Sequence, residues 1–99
     1  MKIWMKANVQ WIPYEKGGRQ NPLPENTRYC PMIVFSDEKT AESWSAEIYI
    51  IQTNKNNEST IKVSFLSPNA PFRLLKPGAQ FELYEGRKYV AQGIIKETV

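Results

Sequence analysis

The sequence has 99 residues, 41% hydrophobic and 12% aromatic, and a formal net charge of +3, which fits one folded domain over residues 1–99 and not a disordered chain. It contains no histidine and one cysteine, Cys30, which excludes Ser-His and Cys-His nucleophile pairs, histidine or multi-cysteine zinc sites and an intrachain disulfide, so we expect no enzyme, no metal and no other cofactor. It has no apolar run near the roughly 20 residues that span a bilayer and no signal-peptide segment, so we expect a cytoplasmic protein without a membrane partner.

The first predicted element is a strand that starts near Ile3 and ends before Pro13. Apolar and polar residues alternate along it, which is the period of a half-buried strand. The apolar positions are Ile3, Met5, Ala7, Val9 and Trp11. We interpret residues 14–31, which hold a Gly pair and three prolines, as a long connection. A second strand, "MIVF" over 32–35, is predicted directly after Pro31, where a strand start needs no N–H donor.

The middle of the chain predicts two strands joined by a turn. "WSAEIYIIQ" over 44–52 and "TIKVSFL" over 60–66 both alternate apolar and polar residues. The Asn-rich "TNKNNES" between them is typical of a turn, because Asn tolerates the left-handed backbone and bonds to it. "SDEKTAES" over 36–43 is polar and has no apolar face at helical spacing, so we interpret it as a loop.

The C-terminal part predicts two more strands. "SPNAPFRLLKPG" over 67–78 is a connection with three prolines and a Pro-Gly turn signal. "AQFELYEGRKYVAQGII" over 79–95 then alternates on both sides of residues 85–88, which form a tight hairpin. Six short strands with turns between them and no convincing helix predict an all-β barrel or sandwich.

A few side chains carry specific expectations. We expect the three tryptophans, Trp4, Trp11 and Trp44, to fill the barrel or cover its ends. Trp4 falls on the polar face of its strand, and an exposed tryptophan there would indicate a protein interface; Tyr14 is the other aromatic to watch. Cys30 is expected to be a buried small hydrophobic residue and not a reactive thiol.

The charge is unevenly distributed along the chain. Residues 1–35 carry five basic and two acidic groups, residues 36–70 three basic and five acidic, and residues 71–99 five basic and three acidic. If the terminal strands pair, as they often do in closed barrels, the two basic excesses meet in one patch. The alternative is ordinary solubilising charge, because nucleic-acid footprints are usually denser.

Two segments of the chain resemble a known family. "YEKGGRQNPLPENTRYCPMIVF" over 14–35 is similar to a Glu-x-Gly-Gly-Arg loop followed by a Tyr-Arg-Pro-Gln strand start, and "IKVSFLSPNAPFRLLKPGAQFELYEGRKYVAQGII" over 61–95 is similar to a closing pattern with a Glu-Gly-Gly-Arg hairpin. Both patterns are those of the C-terminal β-barrel domain, the third domain, of translation elongation factor Tu. Strand and motif order agree from about residue 7 to 96.

The resemblance implies a closed six-stranded antiparallel β-barrel and a non-catalytic binding role. In the family, this domain helps to hold the acceptor and T stem of aminoacyl-tRNA and contacts partner proteins, while GTP hydrolysis belongs to another domain. This chain has no Gly-x-x-x-x-Gly-Lys-Ser/Thr phosphate loop, so no nucleotide chemistry is implied. The implied partners are tRNA or another structured RNA, or a protein of the translation machinery.

The resemblance also indicates site residues. Arg19 matches the arginine of the Gly-Gly-Arg loop, and Glu85 and Gly86 match the hairpin that approaches the RNA backbone. An arginine pairs bidentately with phosphate, and a glycine lets the sugar-phosphate chain come close. With their neighbours, the predicted nucleic-acid or partner-binding residues are Lys16, Gly18, Arg19, Arg28, Glu85, Gly86, Arg87 and Lys88.

Two functions remain open from the sequence. The first is binding of structured RNA or of the translation machinery through this basic set. The second is a protein-interaction or decoy domain that engages a partner of a translation factor without binding RNA. The second is compatible with Cys30 and Met32, which stand where the family pattern has Arg and Gln, and with the acidic segment 36–43.

Overall fold

The computed structural model describes residues 2–18, 23–36 and 42–99. These residues form seven strands: β1 (Met5–Trp11), β2 (Arg28–Tyr29), β3 (Met32–Phe35), β4 (Ser43–Thr53), β5 (Glu58–Phe65), β6 (Gln80–Glu85) and β7 (Lys88–Thr98). Two 3-10 turns, Tyr14–Lys16 and Phe72–Leu74, lie in the connections. The described part of the chain contains no helix of the length and apolarity that a membrane crossing needs.

Six of the strands close into an antiparallel barrel, as predicted. The order around the ring is β4-β3-β6-β7-β1-β5, and β5 pairs back to β4. The terminal strands β1 and β7 are neighbours, with Trp11 opposite Ala91 and Met5 opposite Thr98. Closure pairs both edges of each barrel strand, so the ring leaves no long free edge.

The short strand β2 lies outside the ring of six and pairs with β4. Its register continues that of β3, because Tyr29 is opposite Ile48 and Met32 is opposite Ser45. Between them, the Pro31 carbonyl accepts a hydrogen bond from the Ala46 N–H at 2.9 Å. Residues 28–31, predicted as the end of a connection, therefore belong to the sheet, and Pro31 interrupts the strand assignment because it has no N–H to donate.

The barrel interior is filled by the alternate apolar residues that the sequence pattern indicated. The largest are aromatic: Phe35 lies 6.0 Å from Phe65 and 5.9 Å from Phe81, centroid to centroid. Other fully buried side chains come from every barrel strand: Val9, Ile33, Ile48, Ile50, Ile61, Val63, Leu83, Val90 and Ile95. Each such side chain contributes about 1.5–3 kcal/mol of burial free energy.

The prediction that tryptophans fill the barrel or cover its ends is confirmed for two of the three. Trp11 is buried, and its indole N–H donates to the Ser59 hydroxyl at 2.7 Å. Trp44 is half-buried and packs edge-on against Phe65, with 6.4 Å between the rings. Trp4 is also half-buried, but it lies on the outer surface of the barrel.

The expected burial of Cys30 is wrong, because the side chain is exposed. Tyr29 packs against the core, Pro31 is buried and Ile33 is fully buried, so these odd-numbered positions face inward. In a strand, successive side chains point to opposite faces. Since β2 and β3 share one register, Cys30 must point outward.

The predicted turns are present. The Asn54 side-chain oxygen accepts bonds from the backbone N–H groups of Asn56 and Glu58, at 2.9 and 3.2 Å. The β6–β7 hairpin has a two-residue loop, with Gly86 at φ 62°. The loop predicted over 36–43 falls mostly on residues 37–41, which lie outside the described residues.

Candidate binding site

One end of the barrel collects the segments that the sequence singled out. Ile12 donates its N–H to the Val90 carbonyl at 2.9 Å, so the chain leaves β1 beside the start of β7 and the hairpin. The Trp11 backbone N–H donates a hydrogen bond to the Asn57 carbonyl at 3.0 Å, which places the β4–β5 turn at the same end. We call the described residues of segments 12–18, 23–27, 54–57 and 85–88 the loop end.

Gly18 has a packing role at the loop end. Its N–H donates to the Pro13 carbonyl at 3.0 Å, and the residue is buried. A Cβ at this position would lie 1.7 Å from the Ile12 carbonyl oxygen, so only glycine fits without a backbone shift. Gly18 thus fixes the path of the segment, and Lys16, in the 3-10 turn before it, is exposed to solvent.

The hairpin presents the other predicted residues. Its exposed residues are Gly86, Arg87 and Lys88. Glu85 is half-buried and accepts a hydrogen bond from the Tyr29 hydroxyl, which connects the hairpin to β2. This bond fixes the carboxylate on the barrel wall, so the two basic side chains are the groups that the hairpin offers to a partner.

Two tyrosines hold the base of the hairpin. Tyr84 and Tyr89 pack with 5.5 Å between their ring centroids. The Tyr84 hydroxyl donates to Glu82 at 2.9 Å, and this bond, together with burial, raises the pKa of Tyr84. Burial is also the main cause that raises the pKa of Tyr89. Both phenols therefore stay neutral at physiological pH and act as packing groups.

Arg28 is not directed to the loop end. Its Nε donates to the Glu47 carboxylate at 2.7 Å, on the outer surface of β4. This hydrogen bond is the main cause that raises the pKa of Arg28. The structure therefore brings Lys16, Gly18 and the 85–88 hairpin to one end, sends the Arg28 side chain to the barrel wall, and leaves Arg19 outside the described residues.

The charge of the loop end is mixed. Its described cations are Lys16, Lys55, Arg87 and Lys88, and its carboxylates are Glu15, Glu25 and Glu85. Tyr14 is 59% exposed there, and it is the only aromatic side chain of the described residues that is exposed. The end offers cations to an anionic partner and an aromatic side chain to a protein partner.

A second cluster lies on the outer face of β1, β5, β4 and β2. Strand register aligns four side chains in one row: Lys6 is opposite Lys62, Lys62 is opposite Tyr49, and Tyr49 is opposite Arg28. Lys2 and Trp4 lie beside this row. We call Lys2, Trp4, Lys6, Arg28, Tyr49 and Lys62 the basic wall.

Cation–π contacts order the basic wall. The Lys62 ammonium lies 5.4 Å from the centroid of Trp4 and 5.1 Å from that of Tyr49, and the two rings are 5.7 Å apart. The Lys2 ammonium lies 5.1 Å from the Trp4 centroid. Each such contact contributes about 0.5–1 kcal/mol at an exposed site.

Glu47 is the carboxylate at the centre of the basic wall. It points outward from β4 yet is only 8% exposed, because Lys2 and Arg28 cover it. The Tyr49 hydroxyl also donates to it, at 3.4 Å. Hydrogen bonds from Lys2 and then Arg28 hold the pKa of Glu47 below its usual range.

Sequence reasoning missed the basic wall. Its members are scattered between positions 2 and 62, and only strand register brings them together. The one signal was Trp4 on the polar face of its strand. The described residues contain no group of three cysteine or acidic side chains that could hold a metal ion.

Comparison with known proteins gives no further assignment. No family model matches this chain, and no curated protein matches it.

Proposed function

We propose that this chain is a non-catalytic binding module that engages structured RNA, or a ribonucleoprotein, of the translation machinery through its loop end. The proposal joins the resemblance to the elongation factor Tu barrel with one observation. The exposed cations Lys16, Arg87 and Lys88 lie at the barrel end from which the Gly-Gly-Arg segment also leaves. Cations carried by a rigid barrel on short loops suit phosphate groups, which position a nucleic acid without reading its sequence.

The test is salt-dependent binding of bulk tRNA, followed by fluorescence anisotropy. Three phosphate contacts predict a slope of log affinity against log salt of roughly −2.7, at about −0.9 for each contact. The double variant Arg87→Gln, Lys88→Gln is expected to weaken binding and to make the slope shallower by about two. Lys76→Gln removes one positive charge at an exposed residue in the 66–79 connection. It is the control for each single hairpin variant, which also removes one charge.

Two results would refute RNA binding at the loop end. One is no binding of bulk tRNA at low salt. The other is an equal effect of the Lys76→Gln control and of each single hairpin variant, Arg87→Gln or Lys88→Gln. Arg19→Ala, chosen from the sequence motif, adds an independent variant.

A second candidate function is protein interaction, as a domain that engages a partner of a translation factor without RNA. The exposure of Tyr14 and the four cations against three carboxylates at the loop end favour it. Tyrosine is enriched in the residues that dominate protein interfaces, whereas a phosphate footprint is more uniformly basic. A pull-down with the wild-type chain and with Tyr14→Ala tests it. The expected result is one translation component that the variant loses, and recovery of no discrete partner argues against it.

A further inference from the structure

We propose that the basic wall is a docking surface for an acidic polypeptide segment. The inference rests on the second candidate function and gives that partner a chemistry. It concerns a face of the barrel that is separate from the loop-end residues Lys16, Arg87 and Lys88.

Unbalanced positive charge is the first reason. Lys6 and Lys62 are directly opposite in the β1–β5 ladder, and like charges in that position destabilise a sheet. Glu97 lies opposite Lys6 on β7 and offsets part of this repulsion at the edge of the wall. At the centre, Glu47 is the only carboxylate among the described residues, and it already accepts bonds from Lys2 and Arg28. An incoming carboxylate near Lys62 would relieve the remaining repulsion.

The second reason is that the basic wall already holds a carboxylate of its own chain. An ammonium, a guanidinium and a phenol converge on Glu47 from Lys2, Arg28 and Tyr49. The same side-chain types therefore meet a carboxylate here in a geometry that satisfies its oxygens. Trp4 and Tyr49 add the amphipathic contact area that is typical of protein interfaces.

The aromatic rings also distinguish the partner class. Single-stranded nucleic acids bind by stacking bases on open aromatic faces. Here Lys62 lies over both Trp4 and Tyr49, and Lys2 also lies over Trp4. Ring faces that carry ammonium groups favour carboxylate side chains, which pair with those ammonium groups, over nucleobases, which would have to displace them.

The probe is a fluorescein-labelled peptide of about 20 residues that alternates Glu and Ser, because an extended segment then presents its carboxylates on one face. Anisotropy at about 20 mM and about 200 mM salt measures its affinity. A peptide that alternates Lys and Ser is the charge-reversed control. We expect binding of the acidic peptide only, and weaker binding at the higher salt.

Matched variants of the chain locate the site. Lys6→Gln with Lys62→Gln is expected to weaken peptide binding about five- to tenfold. Lys62→Arg, which keeps the charge, retains binding, and Lys55→Gln on the β4–β5 turn has little effect. Glu47→Gln is expected to raise the affinity for the acidic peptide, since it releases Lys2 and Arg28 to bind the peptide's carboxylates.

Cys30 supplies a second readout on the folded protein. It is the only cysteine in the sequence, it is exposed, and it directly follows β2, two residues after Arg28. Bound peptide is expected to slow its alkylation by iodoacetamide in the wild-type chain. Lys6→Gln with Lys62→Gln should abolish this protection.

Three outcomes would overturn the inference. The acidic peptide does not bind at low salt, or Lys6→Gln with Lys62→Gln binds it as the Lys55→Gln control does, or polyuridylate binds more tightly through the same two lysines. The last outcome would make the wall a nucleic-acid surface. Loss of tRNA binding in the loop-end experiment leaves this test intact, since the two experiments use different probes and different variants.

Discussion

At the scale of single residues, Glu47 is a carboxylate of the outer surface that other side chains of its own chain cover. Outward positions of a barrel strand normally face water, but Lys2 and Arg28 close over this one. Both cations favour the ionised carboxylate, and that preference lowers its pKa. The cluster ties the residues before β1 to the middle of β4.

Replacing Glu47 with Gln should reduce the free energy of unfolding by about 0.5–1 kcal/mol at pH 7, the value typical of a solvent-screened ion pair. Because the pKa of Glu47 is lower in the folded state, its contribution is fully present above about pH 4.3, the ordinary glutamate value, and is lost as pH falls through the folded pKa. Urea unfolding at pH 7 and at pH 3 measures the difference.

The matched control is Glu25→Gln, at an exposed glutamate of the loop end. It should have little effect at either pH. A Glu47→Gln difference that does not decrease as the pH falls would contradict the ion-pair account, since protonation of the carboxylate removes its attraction to Lys2 and Arg28.

Residue-level expectations from the sequence succeeded where periodicity fixes the outcome. Trp11 and Trp44 continue the apolar alternation of their strands and pack inward. Cys30 and Arg28 precede the segment that is clearly a strand, so the pattern gave them no face. Their outward position follows from a register with β4 that depends on residues far along the chain.

At the scale of strands, Gly93 fixes how closely β7 packs against its neighbours. A Cβ there would lie 2.5 Å from the Phe81 ring, 2.7 Å from the Asn8 carbonyl oxygen and 2.8 Å from Val9. These atoms belong to β6 and β1, the two strands that flank β7. A side chain at this point would push both strands away.

Gly93→Ala should therefore lower the free energy of unfolding by about 1–3 kcal/mol, the usual effect of overpacking. Urea unfolding measures it, with Gln92→Ala, an exposed neighbour on β7, as the control. Combining Gly93→Ala with Phe81→Leu should recover part of the loss, because the ring contact disappears while the Asn8 contact remains. Wild-type stability for Gly93→Ala alone would show that β7 can shift freely.

The six ring strands of the barrel could be predicted from the sequence, but the seventh strand, β2, could not. Alternation and turn residues placed all six ring strands within a few residues of their observed bounds. β2 was missed because two residues are too few to show a period. The strand β2 also explains why Arg28 is separated from the other predicted site residues. Its pairing with β4 brings the Arg28 side chain to Glu47 and away from the hairpin.

At the scale of the whole molecule, closure of the barrel explains where the charge collects. The sequence predicted that paired terminal strands would bring the basic ends together, and β1 and β7 do pair. The basic wall differs from that expectation because Lys62, from the middle of the chain, joins Lys2, Lys6 and Arg28 from its first third. Counting charges along the sequence cannot show that Lys62 joins the basic wall, because residues 36–70 as a whole carry a net negative charge.

Closure should also determine how the chain folds. β1 pairs on one side with β5 and on the other with β7, so the ring closes only through contacts between distant parts of the sequence. Proteins dominated by such contacts fold in milliseconds to seconds and not in microseconds. Stopped-flow fluorescence should show this range, since Trp11 is buried against β5 only when the barrel is closed.

Equilibrium unfolding curves followed by tryptophan fluorescence and by far-UV circular dichroism should coincide in one transition. Separate transitions would mean that part of the sheet is stable before β1 closes the ring.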